Sequence, residues 1–282
     1  MQRFEAVFLA LIVVTLAFAS TVICAAEKKP TKYVRFEAEG KTAYGIVDGE
    51  NVRELKGDLF GEFEVTGTCH QLSDVKILVP SQPSKVLAAA GNYMSHLAAE
   101  NVTERAKKPP ELFFKVPSCL IAQGENVVLP EGSNDVHFEA ELVIVIGKKA
   151  KNVSADQALD YVFGVTCGND ISARDWQKND VQWWRAKATD TFGPCGPYIV
   201  SGIDYNKLNL VLRLNGEVKQ EQNTCDMIHD VADLVSFASR HCTLLPGDLI
   251  YTGTPGKTSA LKAGDVVEVE LEGVGVLRNQ VK

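Results

Sequence analysis

Two glutamates set two residues apart open a strongly apolar run, His137-Phe138-Glu139-Ala140-Glu141-Leu142-Val143-Ile144-Val145-Ile146-Gly147. On a β-strand alternate residues share a face, so Glu139 and Glu141 point the same way, followed by Val143 and Val145. Ala140, Leu142, Ile144 and Ile146 fill the opposite face. A strand apolar on both faces is expected to be buried on both. Two carboxylates entering it repel one another and lose hydration, at a cost of several kcal/mol unless a cation compensates. The alternative is a solvated strand end whose glutamates face water. A third carboxylate, Asp170 in Gly168-Asn169-Asp170-Ile171-Ser172-Ala173-Arg174-Asp175, follows the apolar stretch from Tyr161 to Thr166 and is expected near a strand end. Oxygen ligands alone select a hard cation, Mg²⁺ or Mn²⁺ ahead of Zn²⁺. Three protein ligands leave coordination positions for substrate and water, as metal catalysis requires.

The elements that must carry these groups are mostly strands. Tyr33 to Leu55 alternates polar and apolar residues around turn signals at Glu39-Gly40 and Asp48-Gly49, which predicts a small antiparallel β unit. Val79-Pro80-Ser81-Gln82-Pro83-Ser84 is a rigid polar connector and marks the boundary. A short strand over Lys85 to Ala90 and a helix from about Ser95 to Arg105 are expected beyond it. Leu208, Leu210, Leu212 and Leu214 alternate up to Asn215-Gly216, a strong hairpin signal. Val266 to Glu272 alternates again after Gly264-Asp265. Helices are expected from Ser154, with Gln157 completing a capping box, and from about Asp226 to His241 on the spacing of Ile228, Val231, Val235 and Ala238. The fold class is therefore α+β and strand-rich, with few helices, no internal repeat and no low-complexity segment.

The chain has 282 residues, 45% hydrophobic and 23% charged, with a formal net charge of -7. That composition is globular, the length can bury a core without staples, and nothing in the charge pattern offers a nucleic acid a basic face. Arg3 precedes an apolar stretch from Ala6 to Ala19 that leads through Cys24-Ala25-Ala26 to Glu27-Lys28-Lys29-Pro30, the pattern of a secretory signal peptide cleaved after Ala26. Ala19 is a second cleavage candidate, and a retained membrane anchor is the alternative. The expected organisation is a signal peptide over 1–26, a small N-terminal β domain over 27–80 and a catalytic domain over 81–282. An exported location, periplasmic or secreted, follows from the leader. Cys69, Cys119, Cys167, Cys195, Cys225 and Cys242 are scattered without metal-ligand spacing, so buried free thiols are expected ahead of disulfides.

From Lys85 to the C-terminus the chain resembles the fumarylacetoacetate hydrolase family. The resemblance is carried by short segments in order: Gly91-Asn92-Tyr93 followed by His96; Leu112-Phe113-Phe114-Lys115; the Glu139 and Glu141 strand; Asn169-Asp170 through Arg174-Asp175-Trp176-Gln177; Arg185-Ala186-Lys187; Asn215-Gly216-Glu217; and Tyr251-Thr252-Gly253-Thr254-Pro255. It implies a mixed β-sheet roll around a divalent metal, a homodimer, and chemistry on small oxo-acids that passes through an enolate. By resemblance, Glu139, Glu141 and Asp170 are metal ligands and Lys187 stabilises developing oxyanion charge. Arg174 and Gln177, at +4 and +7 from Asp170, are substrate-side groups on an expected helical turn. Thr254, Tyr93 and Lys115 are pocket candidates, and Asp175 is a structural partner. His96 is the expected general base. The family glutamate usually stands three residues later, where this chain has Ala99, so Glu100 at +4 is the candidate partner.

The leading expectation is metal-dependent hydrolysis of a C–C bond in an acylpyruvate-like substrate, with His96 and Glu100 activating water. Isomerisation, decarboxylation or hydration of a hydroxymuconate-like diacid by the same site is the alternative. A third reading, from a different class, is an exported binding protein that holds a structural Ca²⁺ and turns nothing over.

Overall fold

A computed structural model describes residues 29–97 and 104–282, and the leader and Glu100 lie outside the described residues. Nineteen strands carry the described part of the fold. The first seven are β1 (Thr31–Ala38), β2 (Lys41–Asp48), β3 (Asn51–Gly57), β4 (Phe63–Gln71), β5 (Lys76–Ile77), β6 (Val86–Ala90) and β7 (Glu111–Lys115). Then come β8 (Leu120–Ile121), β9 (Asn126–Val127), β10 (Val136–His137), β11 (Ala140–Ile146), β12 (Val162–Asn169) and β13 (Ser172–Ala173). The last six are β14 (Gly193–Ser201), β15 (Asn209–Leu214), β16 (Glu217–Asn223), β17 (Leu249–Tyr251), β18 (Val266–Leu271) and β19 (Gly275–Val281).

A 12-stranded sheet runs in the order β4-β3-β2-β1-β14-β12-β11-β17-β6-β7, with β5 on β1 and β8 on β14. A second sheet, β16-β15-β18-β19-β9, packs on it, and β10 and β13 form a two-stranded ribbon. Most neighbours are antiparallel, but β6 with β17, β8 with β14 and β9 with β19 are parallel, so the architecture is the strand-rich mixed one expected. The N-terminal strands form the antiparallel unit around Glu39-Gly40 and Asp48-Gly49. They do not stand apart, because β1 pairs with β14 and continues the large sheet.

β11 lies in the middle of this arrangement, and all seven of its residues are buried. Ala140, Leu142, Ile144 and Ile146 pack into the core between the two sheets with Leu210, Leu212, Val267, Val269 and Leu277. Val143 and Val145 pack on the other side with Val86, Ala88, Leu249 and Tyr251. Both faces are therefore apolar beyond the glutamates, as the sequence pattern requires. The connector before β6 is fixed by Asp248, a fully buried carboxylate. Asp248 accepts hydrogen bonds from the backbone amides of Ser84, Lys85 and Leu245, from Ser84 Oγ, and from Lys85 Nζ at 2.5 Å.

The helices are shorter than the periodicity predicts. The helix expected from Asp226 begins at Val231, where Asp230 caps it by accepting from the Asp233 amide, and Ile228 lies in the preceding loop. Ser154 does not form the capping box. Its hydroxyl reaches the Gln157 side chain instead of a backbone amide, and a short helix, Ala155–Ala158, follows and ends in a 3₁₀ turn, Leu159–Tyr161. A single 3₁₀ turn, Met94–His96, stands where the helix from Ser95 is expected to begin, and residues 98–103 of that expected helix lie outside the described residues. The six thiols are free, but only Cys119, Cys167 and Cys195 are buried; Cys69 and Cys225 are exposed and Cys242 is half-buried. Among the described residues no helix is long and apolar enough to cross a membrane.

Gly168 on β12 faces Glu141 on β11 across the ladder. A β-carbon there would lie 2.3 Å from Val143 Cγ2 and 2.6 Å from Tyr251 Cε1. Gly168→Ala is expected to lower stability by about 1–3 kcal/mol, because the core must shift to admit the methyl group. It also moves the strand end that carries Asp170, so denaturant unfolding and Mn²⁺ titration are expected to register the same substitution.

Candidate active site and metal centre

Glu139, Glu141 and Asp170 converge, each offering a carboxylate oxygen within 4.8 Å of the other two. Their exposures of 4%, 1% and 1% exclude the solvated strand end. Glu139 precedes β11, and Asp170 sits in the turn after β12. Two hydrogen bonds lock these positions together: Asn169 Oδ1 accepts from the Glu139 amide at 2.8 Å, and the Asp170 amide donates to the Glu139 carbonyl at 2.9 Å. Asn169 is thus a positioning residue whose side chain closes the gap where the ladder ends. Asp170 is not on a helix with Arg174, contrary to expectation. The helix Arg174–Asn179 begins after it, because Ile171 and β13 intervene and its N-cap, Ala173, is extended.

Three cations answer the three carboxylates. Lys187 Nζ donates to Glu139 Oε2 at 2.5 Å and to Asp170 Oδ2 at 2.8 Å. Arg174 Nη2 donates to Glu139 Oε1 at 2.6 Å, and Lys115 Nζ to Asp170 Oδ1 at 2.6 Å. Lys115, expected at the pocket wall, does not line the pocket. Its ammonium is enclosed behind Asp170, where it also donates to the Phe192 carbonyl at 3.1 Å and to the Lys187 carbonyl. Tyr93 is likewise fully buried away from the cavity, and its hydroxyl has no hydrogen-bond partner among the described residues. The neighbouring Asn92 makes the bonds that matter, donating to the His229 and Thr252 carbonyls and accepting from the His229 amide.

The cations are unevenly shared, and this polarises the site. Burial alone would raise the Glu139 carboxyl, but the Lys187 and Arg174 charges outweigh it and hold it down to about 2. Among the described residues Glu141 has no cation at hydrogen-bond distance and accepts only the Gly253 amide, at 2.6 Å, which the positive φ of +97° at that glycine aims toward it. Burial, then the charges of Asp170 and Glu139, push the Glu141 carboxyl well above its usual range. Lys187 stays charged: burial acts against it, but Asp170 and Glu139 prevail and raise its pKa. A buried carboxylate with one backbone donor, beside two more oxygen ligands, fits a hard divalent cation. These three residues could hold such an ion.

Glu139 and Glu141 open onto a cavity of about 360 Å³, lined also by His96, Arg174, Gln177, Lys187 and Thr254. That is near the lower end of the range for small-molecule sites, roughly 300–1,000 Å³. His96 Nδ1 lies 2.6 Å from the Gly256 carbonyl oxygen. A carbonyl only accepts, so Nδ1 is the donor here, and in the neutral imidazole that tautomer leaves Nε2 as the acceptor. Gln177 accepts from Arg174 Nη1 at 2.8 Å, which orients the guanidinium toward Glu139. Thr254 accepts from Gln220 Nε2 at 2.9 Å, and Gln220 in turn accepts the Ala140 amide. Gln220, Arg105, Phe113 and Trp183 were not singled out by the sequence reading, although Phe113 lies in a quoted motif; the last three line the cavity. His137 is turned aside onto Thr258 and Asp135, and Asp175 bonds Ser133 and the Asn134 amide, a structural role.

Glu141 provides the direct test of a metal in this position. In the metal-free chain its raised pKa means that it binds a proton the unfolded chain has already lost. Its stabilising contribution is therefore present below the ordinary carboxylate range and is lost as pH rises through the raised value. Mn²⁺ displaces that proton, so the rise in melting temperature caused by Mn²⁺ is expected to grow over the same interval. At about 100 times Kd, Mn²⁺ adds about 2.7 kcal/mol. Glu141→Gln is expected to leave the metal-free chain at least as stable and to abolish the Mn²⁺ effect.

Comparison with known proteins places this site in a family. Residues 85–282 match the model for the fumarylacetoacetate (FAA) hydrolase C-terminal domain, and residues 31–80 match the Rv2993c-like N-terminal model. The crystal structure of 2-hydroxyhepta-2,4-diene-1,7-dioate isomerase from Mycobacterium marinum superposes with a TM-score of 0.83 at 40% identity, over 89% of this chain and 98% of that one. The mitochondrial oxaloacetate tautomerase FAHD2A of Homo sapiens is 40% identical over 222 residues, 74% of this chain and 70% of its own. Maleylpyruvate hydrolase from Sphingobium sp. SYK-6, in complex with manganese (II) and pyruvate, superposes with a TM-score of 0.74 at 27% identity, over 89% and 98% of the two chains. With its carboxylate triad on the matched domain, the chain belongs to the fumarylacetoacetate hydrolase family.

Proposed function

We propose that the protein is a divalent-metal-dependent isomerase of small 2-oxo acids, moving a proton between a carbon next to a carbonyl and the carbonyl oxygen or a conjugated carbon. The observation that carries this reading is His96: an imidazole whose Nδ1 meets a carbonyl and whose Nε2 has no hydrogen-bond partner among the described residues, lining the same cavity as Glu139 and Glu141. A cation held by Glu139, Glu141 and Asp170, Mg²⁺ or Mn²⁺, would supply electrostatic stabilisation of enolate charge. His96 Nε2 takes the carbon-bound proton and returns it at the new position, so no water is consumed. Arg174 and Lys187 pair with Glu139, Lys187 pairs with Asp170 as well, and Phe113 and Trp183 line the same cavity. The tautomerase and isomerase activities named for the relatives support the same reaction class. The apolar leader supports an exported enzyme, and a homodimer remains part of the proposal from the family resemblance.

Hydrolysis of an acylpyruvate C–C bond is the second reading, supported by the likeness to maleylpyruvate hydrolase. It asks His96 to activate water with a carboxylate behind it. Nδ1, the atom such a carboxylate would engage, is already bonded to the Gly256 carbonyl, which favours the isomerase. A Ca²⁺-binding protein without turnover has no use for His96 beside the triad.

Incubation of the full chain with enol-oxaloacetate in D₂O, with Mg²⁺, Mn²⁺ or EDTA, tests the choice. Metal-dependent keto–enol conversion with deuterium at the carbon next to the carbonyl is expected, and His96→Ala should slow it by about 10²–10⁴-fold. Cleavage of an acylpyruvate into two acids, with a water-derived oxygen and no faster tautomerisation, would replace the isomerase by the hydrolase.

A further inference from the structure

The segment after β17 runs from Thr252 to Ser259 without forming helix or strand, and it is tied down at both ends. At the near end Gln220 Nε2 donates to Thr254 Oγ1 and to the Pro255 carbonyl. At the far end Ala260 bridges to His137, and the Leu261 amide donates to the Val136 carbonyl at 2.7 Å. Between these anchors the Gly256 carbonyl meets His96 Nδ1, and the Gly256 amide donates to Ser95 Oγ at 3.1 Å. Thr258 lies just beyond, half-buried between the exposed Lys257 and Ser259. Both partners of its hydroxyl come from other elements. Arg174 Nη2 donates to Thr258 Oγ1 at 3.0 Å, and the same nitrogen donates to Glu139 Oε1 at 2.6 Å. His137 Nδ1 lies 2.9 Å from Thr258 Oγ1, and His137 Nε2 lies 2.7 Å from Asp135 Oδ1. A guanidinium only donates, so the hydroxyl accepts from Arg174 and its own hydrogen is available to His137 Nδ1. In the neutral imidazole that order puts the ring proton on Nε2, facing Asp135. Donors and acceptors then match all the way from Asp135 to Glu139.

We propose that Thr258 is a positioning residue of the metal centre, whose hydroxyl fixes the Arg174 guanidinium and, through it, the Glu139 carboxylate in the orientation a divalent ion meets. This rests on the metal-dependent reading above and extends it to a residue that is not among those lining the cavity. Gln177 holds the other nitrogen, Nη1, so loss of the Thr258 hydroxyl leaves the guanidinium one neutral anchor where it had two. A guanidinium held at one nitrogen orients Glu139 less well. Removing a group that bonds a metal ligand typically costs about 10- to 100-fold in affinity, and Thr258, one bond further out, is expected to be worth about 3- to 10-fold.

Isothermal titration of the full chain with Mn²⁺ tests this without turnover. Thr258→Val keeps the shape of the side chain and removes the hydroxyl, and it should raise the Mn²⁺ Kd by about 3- to 10-fold. Thr258→Ser keeps the hydroxyl and should bind Mn²⁺ as wild type does. In an Arg174→Met background Thr258→Val should add nothing, because the group it positions is gone. A valine variant that binds like wild type overturns the proposal. So does a serine variant as weak as valine, or a loss of equal size in the Arg174→Met background, since either marks a residue that only shapes its loop. Wild-type binding that ignores Thr258 leaves the metal centre standing and removes Thr258 alone, whereas a wild type that takes up no Mn²⁺ overturns both.

Discussion

Three carboxylates buried within 4.8 Å of one another are the constraint around which the molecule is organised. Left alone, they would repel and take up protons. Lys115, Lys187 and Arg174 answer this from three different elements, each with a short contact to Glu139 or Asp170. Breaking a buried pair by removing one partner typically costs about 3–5 kcal/mol, because it strands the other charge. The compensation is nevertheless incomplete. Among the described residues Glu141 receives one backbone amide and no cation, and that imbalance is what would suit the cluster to a divalent ion.

The framework serves this geometry. β11 can be buried on both faces because β12 and β17 flank it and two apolar clusters sandwich it. Its glutamates emerge where the ladder with β12 ends, and there Asn169 replaces the missing strand bond. Gly253 turns its amide to Glu141, and Asn92 ties the Gly91-Asn92-Tyr93 loop to Thr252 and His229. The His96 side of the cavity is thereby held against the carboxylate side. Asp248 performs a similar service for the connector that leads into β6.

Much of this was legible in the sequence because it follows from short-range rules. Strand alternation placed Glu139 and Glu141 on one side, and the turn signals at Glu39-Gly40, Asp48-Gly49 and Asn215-Gly216 all lie between strands. What escaped depends on distant partners. Lys115 and Arg105 are both cations in one motif-bearing region. Only the tertiary arrangement shows that Lys115 stands behind Asp170 while Arg105 faces the cavity. Gln220 sits on an exposed-looking strand, yet reaches Ala140 and Thr254 across the sheets. The helices were overextended because apolar spacing continues past Asp230, where the capping side chain sets the start.

A divalent ion on the triad would face the cavity that His96 also lines. Electron paramagnetic resonance of the full chain with Mn²⁺, using ¹⁷O-labelled oxalate as a substrate-like acid, is the decisive measurement. One Mn²⁺ per chain is expected, with lines that broaden with the labelled acid and not with the unlabelled one. Mn²⁺ that fails to bind, or that binds with lines indifferent to the label, would refute the metal site.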